Sequence, residues 1–477
     1  MKNLLLMTIV ALIFATTSFS QSPDLLWTEN YGTVDQEIAY SVWQTDDDGF
    51  VMTGLTRPNV QDADLLIIRT DSNGDSLWSK FYGSSEDDVG RSILQTQDGG
   101  FVIAGYKNAD VWLLKTDNSG DTLWTKTYDG GDADLGYAVQ NTSDGGFIIV
   151  GTTRSFGSGG FDFFLIKTDS SGDTTWTKTY GGSNDERAYS VMQTSDDGYI
   201  IVGETTSFGN GNDDAWLVRT NSIGDTLWTK SFGGAESDEG HSVIQTSDGG
   251  FVIAGVKESS VTYDDMWLIK TNSSGEMLWE KTYDYGVGDN EEGNSVVQTS
   301  DGGFAICGLG TNISGFSEDI LIIRTDELGD TLWTIAYGDS SYDVGNSIIQ
   351  SSDGGYVVAG TEESFLSWTN FLLMKIESDL LPSVDEKFIP SEFSLSQNFP
   401  NPFNPNTIIK YQIPEISFIT LKVFDVVGNE VVTLVNEELS AGEYEVEFDG
   451  SGLSSGIYFY QLKAGNFIQT KKMILLK

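Results

Sequence analysis

Apolar, β-branched and aromatic residues gather in short runs separated by polar, glycine-containing turns. In residues 189–234 four such runs stand out, Ser190–Thr194, Tyr199–Gly203, Ala215–Thr220 and Thr226–Phe232. Runs of this length and composition predict β-strands, and no segment sustains the 3.6-residue period of a helix. We name the strands A to D. Asp-Gly between A and B, and Asn-Ser-Ile-Gly-Asp between C and D, read as hairpin turns in which glycine supplies positive φ. The unit is therefore a four-stranded antiparallel meander.

The pattern recurs along most of the chain. An aromatic residue follows Asp-Gly-Gly or a close variant at Phe50, Phe101, Phe147, Tyr199, Phe251, Phe304 and Tyr356, and glycine follows four residues later, from Gly54 to Gly360. The spacings are 51, 46, 52, 52, 53 and 52, and Trp27, Trp78, Trp124, Trp176, Trp228, Trp279 and Trp333 keep the same step. Two markers with one period of about 50 define a repeat protein. A small sheet cannot hide its faces or edges alone, whereas copies arranged radially pack face to face. The array opens on a lone D-type run, residues 25–32, and closes on a C-type run, residues 371–378, that no D run follows. The first run completes the last sheet, which predicts an all-β, seven-bladed β-propeller of four-stranded blades over residues 23–378.

The first 20 residues change the compartment. One lysine, an apolar run from Leu4 to Ala15 and small residues before Gln21 read as a secretory signal peptide, and no later stretch reaches the length of a membrane span. Cys307 is the single cysteine, so an exported fold here stands without internal disulfides; it fills a slot that is Ala104, Val150, Val202 or Ala254 elsewhere and is expected in the core. The net charge is −45, of which residues 388–477, with 10 acids and 6 bases, carry only −4. So acidic a surface disfavours nucleic acid and anionic membranes as partners and keeps a secreted protein dispersed, while favouring cations.

The Asp-x-x-Gly-x-x-x-Trp run, as in Asp169 to Trp176, is similar to the tryptophan-docking motif of quinoprotein propellers, and the strand order and closure resemble WD-repeat and kelch propellers. These resemblances imply fold and not activity. The period stops after Ser378, and residues 379–390 read as a linker. Residues 391–477 differ in kind. Asn398, Phe399, Pro400, Asn401, Pro402, Phe403, Asn404 and Pro405 form an Asn-Pro cluster, followed by LKVFDVVGNEVVTL (421–434), GEYEVEFDGSGLSSGIYFYQLKAG (442–465) and TKKMILLK (470–477). The segment resembles the type A C-terminal sorting domain of the Bacteroidota type IX secretion system. The resemblance implies passage through the periplasm and outer membrane by the type IX machinery, and removal of this domain by a sorting peptidase. Release, or attachment to surface lipopolysaccharide, would follow. The residues themselves predict a small Ig-like β-sandwich with prolines barring strand pairing where it begins.

In such a meander the D–A and B–C connections share one face of the disc, and B–C varies from YKNAD (106–110) to TTRSFGSGGFD (152–162). Variable loops on a rigid scaffold are where binding resides, so a site is expected there. Two acidic positions recur on that face: Asp64, Asp110, Asp162, Asp214, Asp265 and Asp319, with Asn370 last, before strand C, and Glu37, Asp88, Asp134, Glu186, Asp238, Glu291 and Asp343 before strand A. Sevenfold recurrence points to carboxylates accepting backbone N–H groups; calcium, using such pairs with loop carbonyls, is the alternative. A specific site should instead break the symmetry. The residue before the Ser or Ala of strand A is Tyr40, Arg91, Tyr137, Tyr189, His241, Asn294 and Asn346 in turn, groups that at the mouth of the channel would suit a sugar or peptide. Phe156, Phe208, Phe316, Phe365 and Trp368 in the B–C loops offer a second platform or anchor their loops. One histidine excludes a multi-histidine metal cluster, and neither a nucleophile elbow nor a P-loop occurs. The expectation is a secreted, non-catalytic binding propeller, with an acid-pair glycoside hydrolase and a structural surface or adhesion component as alternatives.

Overall fold

The computed structural model describes residues 22–32, 36–58, 62–128, 130–259, 263–285, 290–311, 317–338, 341–363, 369–379, 393–414, 416–439, 442–465 and 467–477. The signal-peptide expectation and nearly all of the linker lie outside them, as do Phe316, Phe365 and Trp368. The chain divides into two compact units, residues 1–379 and 380–477.

The first unit is a seven-bladed propeller. Six blades are consecutive four-stranded meanders, and the seventh takes its outermost strand, Leu25–Tyr31, from the other end of the repeat array, paired antiparallel with Thr369–Ile376. In blade 4 the strands are Glu186–Gln193, Tyr199–Thr205, Asp214–Thr220 and Thr226–Phe232. Strands B and C are buried on both faces because neighbouring blades cover them, which is why their sequences are nearly unbroken apolar runs. Strand D is the edge, and its Thr, Lys and Ser residues suit exposure there.

The two sequence phrases meet between blades. Each D-strand tryptophan packs on the aromatic of the next blade's A–B corner, from Trp27 on Phe50 at 6.1 Å to Trp333 on Tyr356 at 5.7 Å. The same tryptophans cover the C–D turn of the next blade. A Cβ on Gly172 would lie 2.7 Å from the Trp124 ring, and its φ of +76° is one that side chains disfavour, so the turn needs glycine twice over. Lys126 and Tyr128 of the same strand bind that turn through Asp173 at 2.7 Å and the Gly172 carbonyl at 2.8 Å. Blade 7 has no C–D turn. Asp379 takes its place, accepting from Trp333 Nε1 at 2.9 Å and Tyr356 Oη at 2.7 Å and pairing with the fully buried Arg324 at 3.0 Å.

The A–B corners repeat one polar cluster in all seven blades. A cation at the end of strand C is buried and reaches the corner aspartate and a carbonyl, as Lys270 does to Thr271 O at 3.0 Å and Asp248 at 2.9 Å, with the Ser351 hydroxyl taking the carbonyl's place for Lys375 in blade 7. The others are Asp47–Arg69, Asp98–Lys115, Asp144–Lys167, Asp196–Arg219, Asp301–Arg324 and Asp353–Lys375. Around the channel, serines bridge adjacent A strands: Ser190 Oγ accepts from Val243 N and Ser242 Oγ from Val296 N, each at 3.3 Å.

The second unit is a β-sandwich. Strands Ser394–Leu395, Asn406–Ile413 and Gly442–Asp449 form one sheet, and Glu430–Leu439, Ser417–Phe424, Gly456–Ala464 and Phe467–Leu475 the other. Alternate residues such as Ile419, Leu421 and Val423 point inward to one core with Ile409, Tyr411 and Tyr460. Asn398 is buried, its amide donating to Pro400 O at 3.1 Å and Thr407 Oγ1 at 3.0 Å, and Phe403 packs on Phe448. Asn401 accepts from Ile474 N at 2.9 Å, and Pro405 O from Gly450 N at 2.9 Å. Phe399, between these anchors, is 80% exposed.

Candidate functional site

Each A strand carries a bulge, and the bulged residue is the one that breaks the symmetry. In blade 4, Ala188 faces Gly203 and Ser190 faces Val202, leaving Tyr189 without a partner. The register shifts at the same point around Tyr40, Arg91, Tyr137, His241, Asn294 and Asn346. The sequence placed these residues just ahead of the strands; the strands begin earlier, at Glu186 rather than Ser190, and the bulge disguises this by interrupting the alternation. All seven residues line one cavity of about 650 Å³ at the channel mouth, together with Glu239, Glu258, Asp264 and Glu292.

Five of the seven form a continuous arc. The Arg91 guanidinium lies 4.0 Å from the Tyr40 ring and 5.5 Å from Tyr137. Tyr137 meets Tyr189 edge-on at 5.5 Å, and Tyr189 meets His241 at 5.5 Å. Asn294 and Asn346 close the ring differently, donating to Gly345 O at 3.2 Å and Ala39 O at 2.8 Å across blade boundaries. A strongly polar wall backs the arc. Glu204 accepts from Tyr189 Oη at 2.9 Å and Arg187 at 2.6 Å, and Glu239 pairs with His241 Nε2 at 3.0 Å.

The wall's acids titrate in opposite directions. The hydrogen bond from His241 holds Glu239 below the ordinary range, whereas burial, with Glu239 nearby, pushes Glu204 and Glu292 up. Burial draws the His241 pKa down, but Glu239, Glu292 and Glu204 outweigh it and the net shift is upward. Arg91 Nε and His241 Nδ1 are buried without a hydrogen-bond partner among the described residues. The mouth therefore has donors on one side and acceptors on the other.

The recurring acids of the loop face do other work. Both sets sit at the starts of strands C and A, and they face each other across blade boundaries, as Asp162 does Glu186 and Asp214 does Asp238. Their oxygens accept loop N–H groups: Asp162 from Ser158 at 2.7 Å, Asp214 from Asn210 at 2.9 Å, Glu186 from Gly182 at 2.7 Å and Asp134 from Gly130 at 3.0 Å. Glu186 also takes the Thr205 hydroxyl at 3.0 Å. The glycine ending strand D is needed beneath them, since a Cβ on Gly83 would meet Asp64 Oδ1 at 1.6 Å. In Asp162, Asp214, Glu186 and Asp134 the carboxylate accepts backbone N–H groups, whereas Asp88 pairs with Lys107 at 3.1 Å. Among the described residues no group of three or more His, Cys, Asp or Glu is placed to hold a metal; calcium at Asp64, Asp88, Asp110, Asp134, Asp162, Asp214, Asp238, Asp265, Asp319 and Asp343, which would use carboxylate pairs with loop carbonyls, stays an expectation. Phe156 and Phe208 lie on Phe164 and Trp216 of their own blades at 5.4 and 5.1 Å, and Cys307 is fully buried, its thiol pushed up by burial.

The sequence did not single out the acidic wall. One signal was available. Two residues before the bulge the repeat reads Ile38, Val89, Leu135, Arg187, Glu239, Glu292 and Val344, so charge replaces an apolar residue in three adjacent blades.

Comparison with known proteins decides the C-terminal unit. Residues 397–476 match the secretion system C-terminal sorting domain. The second unit is a sorting domain. It marks the chain for the type IX secretion machinery and for export to the cell surface or extracellular space. No curated protein matches the chain. Among solved structures the chain is similar to PorZ, described as an essential bacterial surface component of the type IX secretion system of Porphyromonas gingivalis, at 10% identity, covering 90% of this chain and 69% of that one, with a TM-score of 0.37. The Neurospora crassa Pan2 WD40 domain is 10% identical over 76% of this chain and 97% of its own, with a TM-score of 0.49. Drosophila Plexin A, solved in complex with Semaphorin 1b, is 8% identical over 75% and 88%, at 0.44. The architecture itself rests on the strand pairing above.

Proposed function

We propose that this exported protein is a non-catalytic binding propeller whose ligand, a glycan or a protein segment, enters the channel mouth. The sorting domain is removed at the surface, and the propeller is released or held on lipopolysaccharide. One observation carries the binding role: seven equivalent positions filled by three tyrosines, an arginine, a histidine and two asparagines converge on one cavity of about 650 Å³, while the surrounding scaffold repeats. That volume falls in the range of small-molecule and side-chain sites, and an arc of aromatic rings beside hydrogen-bonding groups is suited to stacking and polar recognition. The test is binding of the mature chain to glycan, polysaccharide and peptide arrays, with calcium and with chelator. A selective signal lost in Tyr137→Ala/Tyr189→Ala supports the reading, and a signal that survives this variant removes it.

A specific observation favours a second reading. Glu239 is held ionised beside two carboxyls pushed upward, the division of roles that an acid and a base need in glycoside hydrolysis. Reducing ends released from a polysaccharide by the wild type and not by Glu239→Gln would replace binding with catalysis.

A further inference from the structure

We propose that the ligand of the mouth is an extended peptide segment that sets a basic side chain against the acidic wall and an apolar side chain in the cleft between blades 7 and 1. This rests on the mouth being a binding site. A second cavity of about 480 Å³ adjoins the first and shares Tyr40 and Asn346 with it; Ile38, Val344 and the Tyr342 ring give it an apolar patch, and Gln36, Thr361, Glu363 and Thr369 give it a polar rim. Two neighbouring cavities separated by Tyr40 and Asn346 can be filled together by a chain that passes over that divide, as a compact molecule cannot.

The two cavities differ in chemistry because of the same tier of the repeat. Two residues before the bulge, blades 7 and 1 supply Val344 and Ile38, and blades 5 and 6 supply Glu239 and Glu292. Glu258 and Asp264 add to the acidic end. In an extended chain, alternate side chains diverge from those between them by period two, so one face of a short strand can present a cation and an apolar group to the two cavities. Two buried groups await backbone partners. Thr361 is 4% exposed, its hydroxyl has no partner among the described residues, and it lines the second cavity. Among the described residues Arg91 makes no ion pair, is held by tyrosines and has no partner on Nε, which is left for a carbonyl. An unpaired buried polar group is unfavourable, and a peptide backbone carries both the acceptor and the donor that satisfy these two. The net charge of −45 adds a long-range field that draws cationic segments and repels acidic glycans.

The experiment measures binding of the mature chain to three labelled peptides by fluorescence anisotropy. One carries Arg and Leu two positions apart in a Gly/Ser background, one replaces Arg by Glu, and one replaces Leu by Ser. A neutral and an acidic oligosaccharide compete. The Arg/Leu peptide should bind at least about tenfold tighter than either control and weaken as salt rises from about 50 to about 300 mM. Glu239→Gln/Glu292→Gln should erase the preference for Arg alone, and Val344→Ser the preference for Leu alone, with melting curves confirming that both variants fold. If an oligosaccharide binds and Tyr137→Ala/Tyr189→Ala abolishes that binding, the mouth is a site but the peptide assignment is overturned. If no probe of either class responds to changes at the mouth, the binding reading itself falls.

Discussion

The two ends of the propeller are built from the same seven strands and obey different rules. At the A–B corners every blade repeats a carboxylate and a buried cation, so that Asp98–Lys115 and Asp353–Lys375 pair alike at 3.0 and 2.7 Å. At the mouth the bulged residue changes from tyrosine to arginine to histidine to asparagine around one ring. A requirement shared by every blade, such as burying an edge or capping a turn, is met by repetition. A ligand with no sevenfold symmetry can be met only by departing from it. On the reading proposed above, the corners hold the fold and the mouth is left for recognition.

The largest effect should come from opening the ring. Removing residues 23–32 strips the outermost strand from blade 7 and leaves Phe50 without Trp27. Thermal melting should drop by about 10 °C or more, or lose cooperativity. An unchanged melt would refute this closure.

A smaller loss is expected at Asp379, which stands where blade 7 lacks a turn. Asp379→Ala leaves fully buried Arg324 with one carboxylate partner, Asp301, and should cost about 2–4 kcal/mol in denaturant unfolding, without altering binding at the mouth.

The two ends should also part company with pH. At the corners burial opposes ionisation, but hydrogen bonds from threonine or serine and lysine outweigh it and hold Asp144, Asp248 and Asp353 down at about 2. A depressed carboxyl stabilises the fold above its unfolded pKa near 4, and that contribution is lost as pH falls from about 4 toward 2. On the loop face burial raises Asp64, Asp162, Asp238 and Glu292. There the folded state binds the extra proton, so stability falls as pH rises through the raised values. Melting temperature against pH should therefore peak on the acid side of neutrality and collapse below about 4. A curve that climbs steadily to pH 8 would contradict the second half.

Much of this was legible from residues alone, for a physical reason. Trp176 and Tyr199 recur in step because they touch, and a contact between neighbouring repeats writes itself into both. The seven mouth residues were legible as deviations from a fixed position. Strand A was misplaced because a bulge at Tyr189 breaks the alternation that marks a strand. The acidic wall went unseen because Glu258 and Asp264 stand outside the repeated phrases, and only closure of the ring sets blades 5 and 6 in one cavity with Tyr40 and Arg91. In the sorting domain the Asn-Pro cluster could be located, but not its division into buried Asn398 and Phe403 and exposed Phe399, which depends on Tyr460 and Phe448 far along the chain.

The most direct test of the central claim compares thermal melting of two variants. Tyr40→Leu/Tyr137→Leu alters the mouth at rings that partner no buried carboxylate, and Lys115→Met/Lys270→Met alters two corners. If the mouth is kept for recognition, its variant should melt within about 2 °C of the wild type, while the corner variant melts several degrees lower. If the mouth variant falls as far as the corner variant, those side chains hold the blades together, and the binding site must be sought elsewhere.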